Sequence, residues 1–116
     1  MEKKNFLNRL GKRQRESIES IYEIMVKEKA VEAIYLKGSI ARGDSDEYSD
    51  VDFYCLINDT LYEDFLEKRV RLLQNYRPII YHSESNFVCP QIVAVFDNGL
   101  HFDLYSEKIL AVVMIQ

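Results

Sequence analysis

The sequence predicts an α/β domain in which one sheet is covered by helices, and three observations carry that expectation. Two stretches, Asn5 to Lys29 and Asp59 to Gln74, place apolar residues three and four apart, the spacing of an amphipathic helix. Shorter runs between and after them alternate apolar with polar residues, as half-buried strands do. Asn98-Gly99 separates the last two of these runs, which marks a hairpin.

In chain order, the first helix is expected over about Asn5 to Lys29, with Ile18, Ile21, Tyr22, Met25 and Val26 as its buried face. Lys12-Arg13-Gln14-Arg15, with Lys3, Lys4 and Arg9, reads as a solvated face of that helix. Val31 to Leu36 forms a short apolar strand, so Gly38 and Ser39 stand where the chain leaves the sheet and backbone N–H groups can face an anion. Gly43 to Ser49 is rich in turn-favouring residues. From Asp50 to Ile57, Val51, Phe53, Cys55 and Ile57 fall on one side and Asp50, Asp52 and Tyr54 on the other. The apolar side requires a helical layer. Asn58, Asp59 and Thr60 supply N-cap candidates for a helix to about Gln74, with Tyr62, Phe65, Leu66, Val70 and Leu73 as its stripe. Pro78 cannot continue that helix, and Ile79 to His82 reads as a strand. The hairpin then joins Gln91–Phe96 to Leu100–Tyr105 through a two-residue turn with positive φ at both Asn98 and Gly99. Leu100, Phe102 and Leu104 share one face of its second arm, which leaves His101, Asp103 and Tyr105 on the other.

A chain of 116 residues, 47% hydrophobic and 29% charged, has the profile of a soluble globular protein and is expected to form one domain, 1–116. Its net charge of −4 argues against a long polyanion such as DNA or tRNA as partner. Cys55 and Cys89 lie in strand contexts without zinc-ligand or disulfide spacing, so reduced thiols are expected. No apolar run approaches the ~18 residues of a membrane span, and Met1-Glu2-Lys3-Lys4 leads into no signal core. A cytoplasmic protein without membrane contact is the expectation.

The chemistry-bearing residues cluster in two places. Asp50 and Asp52, at i and i+2 of one strand, point the same way roughly 6–7 Å apart. Carboxylate oxygens are what hard divalent cations require. Two magnesium ions about 3.5–4 Å apart can hold the entering and leaving oxygens while a hydroxyl displaces pyrophosphate from a nucleoside triphosphate. Asp103 completes such a site, as a ligand of the second metal or as the base that takes the hydroxyl proton. Asp97 is its rival, and the turn explains Asp97 better. Gly38 lets the backbone approach the triphosphate, Ser39 offers N–H and hydroxyl donors, and Arg42 offers a charge-assisted contact. Tyr54 and Tyr105 share the acidic face and suit packing around a base or ribose. His82 and His101 have no ligand-spaced partners, and Glu84 and Glu107 read as surface acids.

Gly38-Ser39, ten intervening residues, Asp50-Val51-Asp52 and a later strand bearing Asp103 resemble the signature of the DNA-polymerase-β-like nucleotidyltransferase superfamily. The fuller run from Gly38 to Tyr54, with Ile92 to Asn98, resembles the N-terminal catalytic domain of the longer lincosamide nucleotidyltransferases. The likeness spans roughly residues 31 to 107. It implies a mixed, mostly antiparallel sheet of about five strands with helices on one face. It also implies magnesium dependence and transfer of AMP from ATP to a hydroxyl of a small molecule, an antibiotic in those enzymes. They continue into a helical domain, whereas this sequence stops at Gln116 after the apolar run Ile109 to Ile115. That tail is expected to be a last buried element, a homodimer surface, or the stub of a longer protein. Two rival functions stay open. One is a minimal nucleotidyltransferase antitoxin that adenylylates a partner toxin. The other is a non-catalytic nucleotide-binding module, which would have no need of three acids.

Overall fold

The computed structural model describes residues 9–86 and 89–109. Helix α1 (Lys12–Val26) leads into strand β1 (Val31–Lys37), the short helix α2 (Gly38–Arg42) and strand β2 (Val51–Ile57). A 3-10 turn (Asp59–Leu61) opens helix α3 (Tyr62–Gln74), and strands β3 (Ile79–Ser85), β4 (Gln91–Phe96) and β5 (His101–Lys108) follow. The strands form one five-stranded sheet in the order β1-β2-β5-β4-β3. β2 and β5 are parallel and the other neighbours antiparallel, the mixed architecture the sequence implies.

Alternation divides the sheet into two surfaces. Val51, Phe53, Cys55 and Ile57 of β2, Ile92, Ala94 and Phe96 of β4, and Phe102 and Leu104 of β5 are buried. They join Ile18, Ile21 and Met25 of α1 and Phe65, Leu72 and Leu73 of α3 in one core. Each large side chain so removed from water contributes on the order of 1.5–3 kcal/mol before entropy is counted. The intervening residues Asp52, Tyr54, Asp103 and Tyr105 are only half-buried, on the surface away from that core.

The helices differ from expectation in which residues they bury. Tyr22 and Val26 are 41% and 48% exposed, while Gln14 and Ser17 are buried. The buried face of α1 is therefore Gln14, Ile18, Ile21 and Met25, a spacing of four, three and four that runs one turn further toward the N-terminus than hydropathy shows. In α3, Leu66 and Val70 are half-buried and Arg69 is buried instead. The guanidinium tolerates this position because its Nε donates to the Leu66 carbonyl (2.9 Å) and it pairs with Glu84 at 2.6 Å, so Glu84 is more than a surface acid. Asn58 accepts from the Thr60 N–H at 2.9 Å, as a cap should. β3 runs on to Ser85, beyond the predicted His82.

The hairpin turn also differs. Gly99 has φ +84° but no non-glycine among the described residues has positive φ, which excludes a two-residue turn with Asn98 in the left-handed region. Gly99 N–H donates to the Phe96 carbonyl (2.9 Å) and Phe96 N–H to the Leu100 carbonyl (3.0 Å). Asp97, Asn98 and Gly99 thus make a three-residue loop, a tight turn followed by one left-handed residue. The Asn98 side chain accepts from Leu100 N–H at 3.1 Å and stiffens it. The apolar tail from Leu110 onward, on which the homodimer expectation rests, lies outside the described residues, as do Asn5 to Asn8 of the expected first helix. Among the described residues no helix is long and apolar enough to cross a membrane.

Because Gly99 alone supplies the left-handed residue, Gly99→Ala is expected to lower stability by about 1–2 kcal/mol, while Asn98→Gly keeps the loop and costs less. Urea denaturation followed by circular dichroism measures both; equal losses would show that the three-residue loop is wrong.

Candidate active site

Strand pairing assembles the site. In the parallel β2–β5 pair Asp52 lies directly beside Asp103, and in the β1–β2 pair Lys37 lies beside Asp52. Since side chains alternate across a strand, this register puts both carboxylates on the surface away from the core. They are close enough to share a hydrogen bond. Burial first, then the negative charges of Asp52 and Asp50, push the Asp103 carboxyl up to about 7. Burial likewise raises Asp52, but the hydrogen bond from Asp103 acts in the opposite direction there, as does the charge of Arg42. Both carboxyls are therefore held above the usual carboxylate range, and they titrate as a pair.

Asp50 stands just ahead of β2, exposed, and reaches the pair as a charge. Among the described residues no three acids, histidines or cysteines close into a metal-ligand cluster. The expected trio is thus a contacting pair with a third carboxylate at its border. The rival Asp97 is bound to Arg77 at the hairpin and takes no part.

The glycine step fits tightly over this pair. Gly38 has φ +76°, and a Cβ built on it would lie 2.3 Å from Oδ2 of Asp52. Only a residue without a side chain lets the backbone pass there. The expected loop is in fact helix α2, whose first N–H groups lack intrahelical acceptors, and Ser39 uses its carbonyl to accept from Gly43 and Asp44 N–H at 3.0 and 3.1 Å. Arg42, at the other end of α2, is exposed and pairs with Asp44 at 3.3 Å.

Beside the acids, Tyr35, Tyr54 and Tyr105 occupy neighbouring strands at matching positions. Their rings stack, Tyr35 to Tyr54 with centroids 5.0 Å apart and Tyr54 to Tyr105 at 4.1 Å. Lys37 Nζ lies 4.8 Å from the Tyr54 centroid, a cation over the aromatic row. Gln91 donates to the Tyr105 hydroxyl at 3.1 Å, and the Tyr35 hydroxyl donates to Glu107, which gives that supposed surface acid a partner. Tyr105 is raised by burial and then by Asp103 and Asp52, and Tyr54 by burial first. Tyr54 is thus stacked on both faces, by Tyr35 and by Tyr105. His82 and His101 are exposed. Cys55 is a buried free thiol raised to about 12 by desolvation, chemically inert as expected; Cys89 is free and half-buried.

The chain belongs to the nucleotidyltransferase domain family, whose model matches residues 18–111. The general chemistry of that family is nucleotidyl transfer, and the five-stranded mixed sheet with its helices is the corresponding fold. No curated protein matches the chain.

Two outcomes follow from the carboxylate pair. Asp103 holds a proton in the folded state that the unfolded chain releases above about pH 4, so this group's stability is fully present below pH 4 and lost as pH rises through about 7. With chelator present, Asp103→Asn is expected to raise the melting temperature by about 2–5 °C at pH 8 and to leave it unchanged at pH 4; calorimetry at the two pH values decides. Gly38→Ala must displace the Asp52 carboxylate as well as strain the backbone, and is expected to cost about 1–2 kcal/mol, read by urea denaturation followed by circular dichroism.

Proposed function

We propose that the protein is a magnesium-dependent nucleotidyltransferase that moves AMP from ATP onto a hydroxyl of a small molecule. The observation that carries this reading is the apposition of Asp52 and Asp103 across the parallel strand pair with Asp50 at their border. A pair of carboxylates held together against their own repulsion is a site that favours a cation. The donor set, all carboxylate oxygen, suits a hard ion such as Mg²⁺. Asp50 and Asp52 would hold it. When bound, magnesium supplies a counter-charge for the triphosphate and for the oxygens on which charge builds during transfer.

The remaining roles fall to the chain's own groups. Helix α2 begins with Gly38 against Asp52, so the free N–H groups at Gly38 and Ser39 can bind triphosphate oxygens next to the acids. Arg42, whose charge already reaches Asp52, adds a positive contact on the same side. Asp103 lies one strand further from α2 than Asp52, which is the position for the incoming hydroxyl. There, as a carboxylate that does not itself hold the ion, Asp103 would accept that hydroxyl's proton. The acceptor then rests over β5 and β4, beyond Asp103.

The likeness to lincosamide nucleotidyltransferases makes an antibiotic hydroxyl the first acceptor to test. A purified sample is incubated with Mg²⁺, labelled ATP, GTP, CTP or UTP, and a panel of hydroxylated antibiotics; a co-expressed toxin-like protein serves as the competing acceptor. The expected product is an antibiotic heavier by one AMP, with pyrophosphate released. Asp52→Asn is expected to lower the rate by at least about a hundredfold while the protein stays folded. Metal-dependent turnover that survives Asp52→Asn would remove the site.

A further inference from the structure

Gln14 is a buried amide in a helix turn that hydropathy marks as solvated, and every polar atom of its side chain is used. Its Nε2 donates to two carbonyls of the loop before β2, Asp46 O and Ser49 O, both at 2.8 Å. Its Oε1 accepts from Gly11 N–H at 3.0 Å. Gly11 lies against the loop, where an added Cβ would make ordinary van der Waals contact with Glu47 at 3.5 Å. The loop closes on itself as well: Asp46 N–H donates to the Ser49 hydroxyl at 3.0 Å and Tyr48 N–H to the Asp46 carboxylate at 2.9 Å. Asp50 is the next residue. Arg13, the neighbour of Gln14, donates to the Asn98 carbonyl at 2.8 Å, in the loop that opens β5 and so leads to Asp103. One turn of α1 therefore grips the chain immediately ahead of both acidic strands.

We infer that Gln14 is a positioning residue for the acidic site, which fixes the 46–49 turn so that Asp50 stands beside the Asp52–Asp103 pair and thereby sets the site's affinity for a divalent cation. The inference rests on the proposed metal-dependent transfer, and no other residue of the described chain bonds to both carbonyls of that turn. Gln14 touches neither metal nor substrate. It acts through Asp50, which is exposed and directly follows the turn that Gln14 grips. Removing the amide frees the turn, and the third carboxylate with it, while the strand pair that apposes Asp52 and Asp103 stays.

The test compares Gln14→Met, which keeps the length and removes both donors and the acceptor, with the parent protein. Mn²⁺ binding is followed by titration calorimetry, and the Mg²⁺ dependence of turnover is measured, each below the variant's melting temperature. The expected result is a loss of about tenfold or more in Mn²⁺ affinity, with a matching rise in the Mg²⁺ needed for half-maximal rate. Gln14→Glu keeps the oxygen facing Gly11 but not the two donated bonds, and is expected to show the same loss where the Met variant does not fold. A lowered melting temperature with Mn²⁺ affinity within twofold of the parent would make Gln14 merely structural and overturn the inference. Asp52→Asn run in parallel separates the two ideas: if it abolishes Mn²⁺ binding while the Gln14 variants bind normally, only the role of Gln14 falls, and if it leaves binding intact, the metal site itself is lost.

Discussion

Two carboxylates lodged side by side in a parallel strand pair form the constraint around which this structure is arranged. Asp52 and Asp103 face one another because β2 and β5 run in the same direction with Val51 opposite Phe102, and that register is dictated by the core. A slip of one residue would turn Val51, Phe53, Cys55 and Ile57 out of the apolar layer. Several buried side chains at roughly 1.5–3 kcal/mol each outweigh the repulsion between two half-exposed acids. The apolar face therefore holds the acidic face in an arrangement that the acids would not choose for themselves. That arrangement raises the Asp103 carboxyl to about 7, burial first and then the charge of Asp52.

The same alternation gives the open surface its order. Successive rows across the strands read Lys37, Asp52, Asp103, Val93, and then Tyr35, Tyr54, Tyr105, Gln91. Lys37 and helix α2 sit at the β1 end, the acids in the middle, and apolar or amide side chains toward β4. The tyrosine row braces the acids from one side. Its rings stack at close to van der Waals distance, so the residues flanking Asp52 and Asp103 have little freedom, and Lys37 is drawn over the rings instead of folding onto Asp52. A lysine paired directly with Asp52 would lower its demand for a cation; seated over Tyr54, it leaves that demand in place.

Much of this was legible in the sequence because period-two and period-3.6 patterns are physical consequences of a sheet covered on one side. The strand faces followed from alternation and the two long helices from helical spacing, while the pairing of Asp52 with Asp103 also needed β5 to lie beside β2, which alternation does not show. What escaped was polar burial and backbone dihedral. Gln14 reads as solvated with its basic neighbours, although the three-four spacing of Ile18, Ile21 and Met25 extends backward by four onto it; hydropathy cannot signal an amide whose partners lie more than thirty residues away. Arg69 was hidden in the same way, its burial depending on Glu84 from another element. Asn98-Gly99 suits two kinds of turn, and the choice fell to the three-residue loop, in which only glycine needs positive φ and Asn98 can bond to Leu100. Tyr22 and Val26 fit the helical stripe by spacing alone, but they sit at its margin, where the sheet no longer covers α1.

Asp50 shows how the parts depend on one another. Unlike Asp52 and Asp103 it belongs to no strand, so nothing in the sheet register fixes it, and its position is inherited from the turn before it. That turn is held by α1, and α1 is held by the same apolar layer that fixes β2 and β5. The core thus governs the acidic site by two routes, through the strand pair for Asp52 and Asp103 and through Gln14 for Asp50. The first route tolerates little change, because a register slip costs the whole core. The second passes through two hydrogen bonds, each worth about 1 kcal/mol net, so it is the route by which substitutions can shift Asp50 without unfolding the domain.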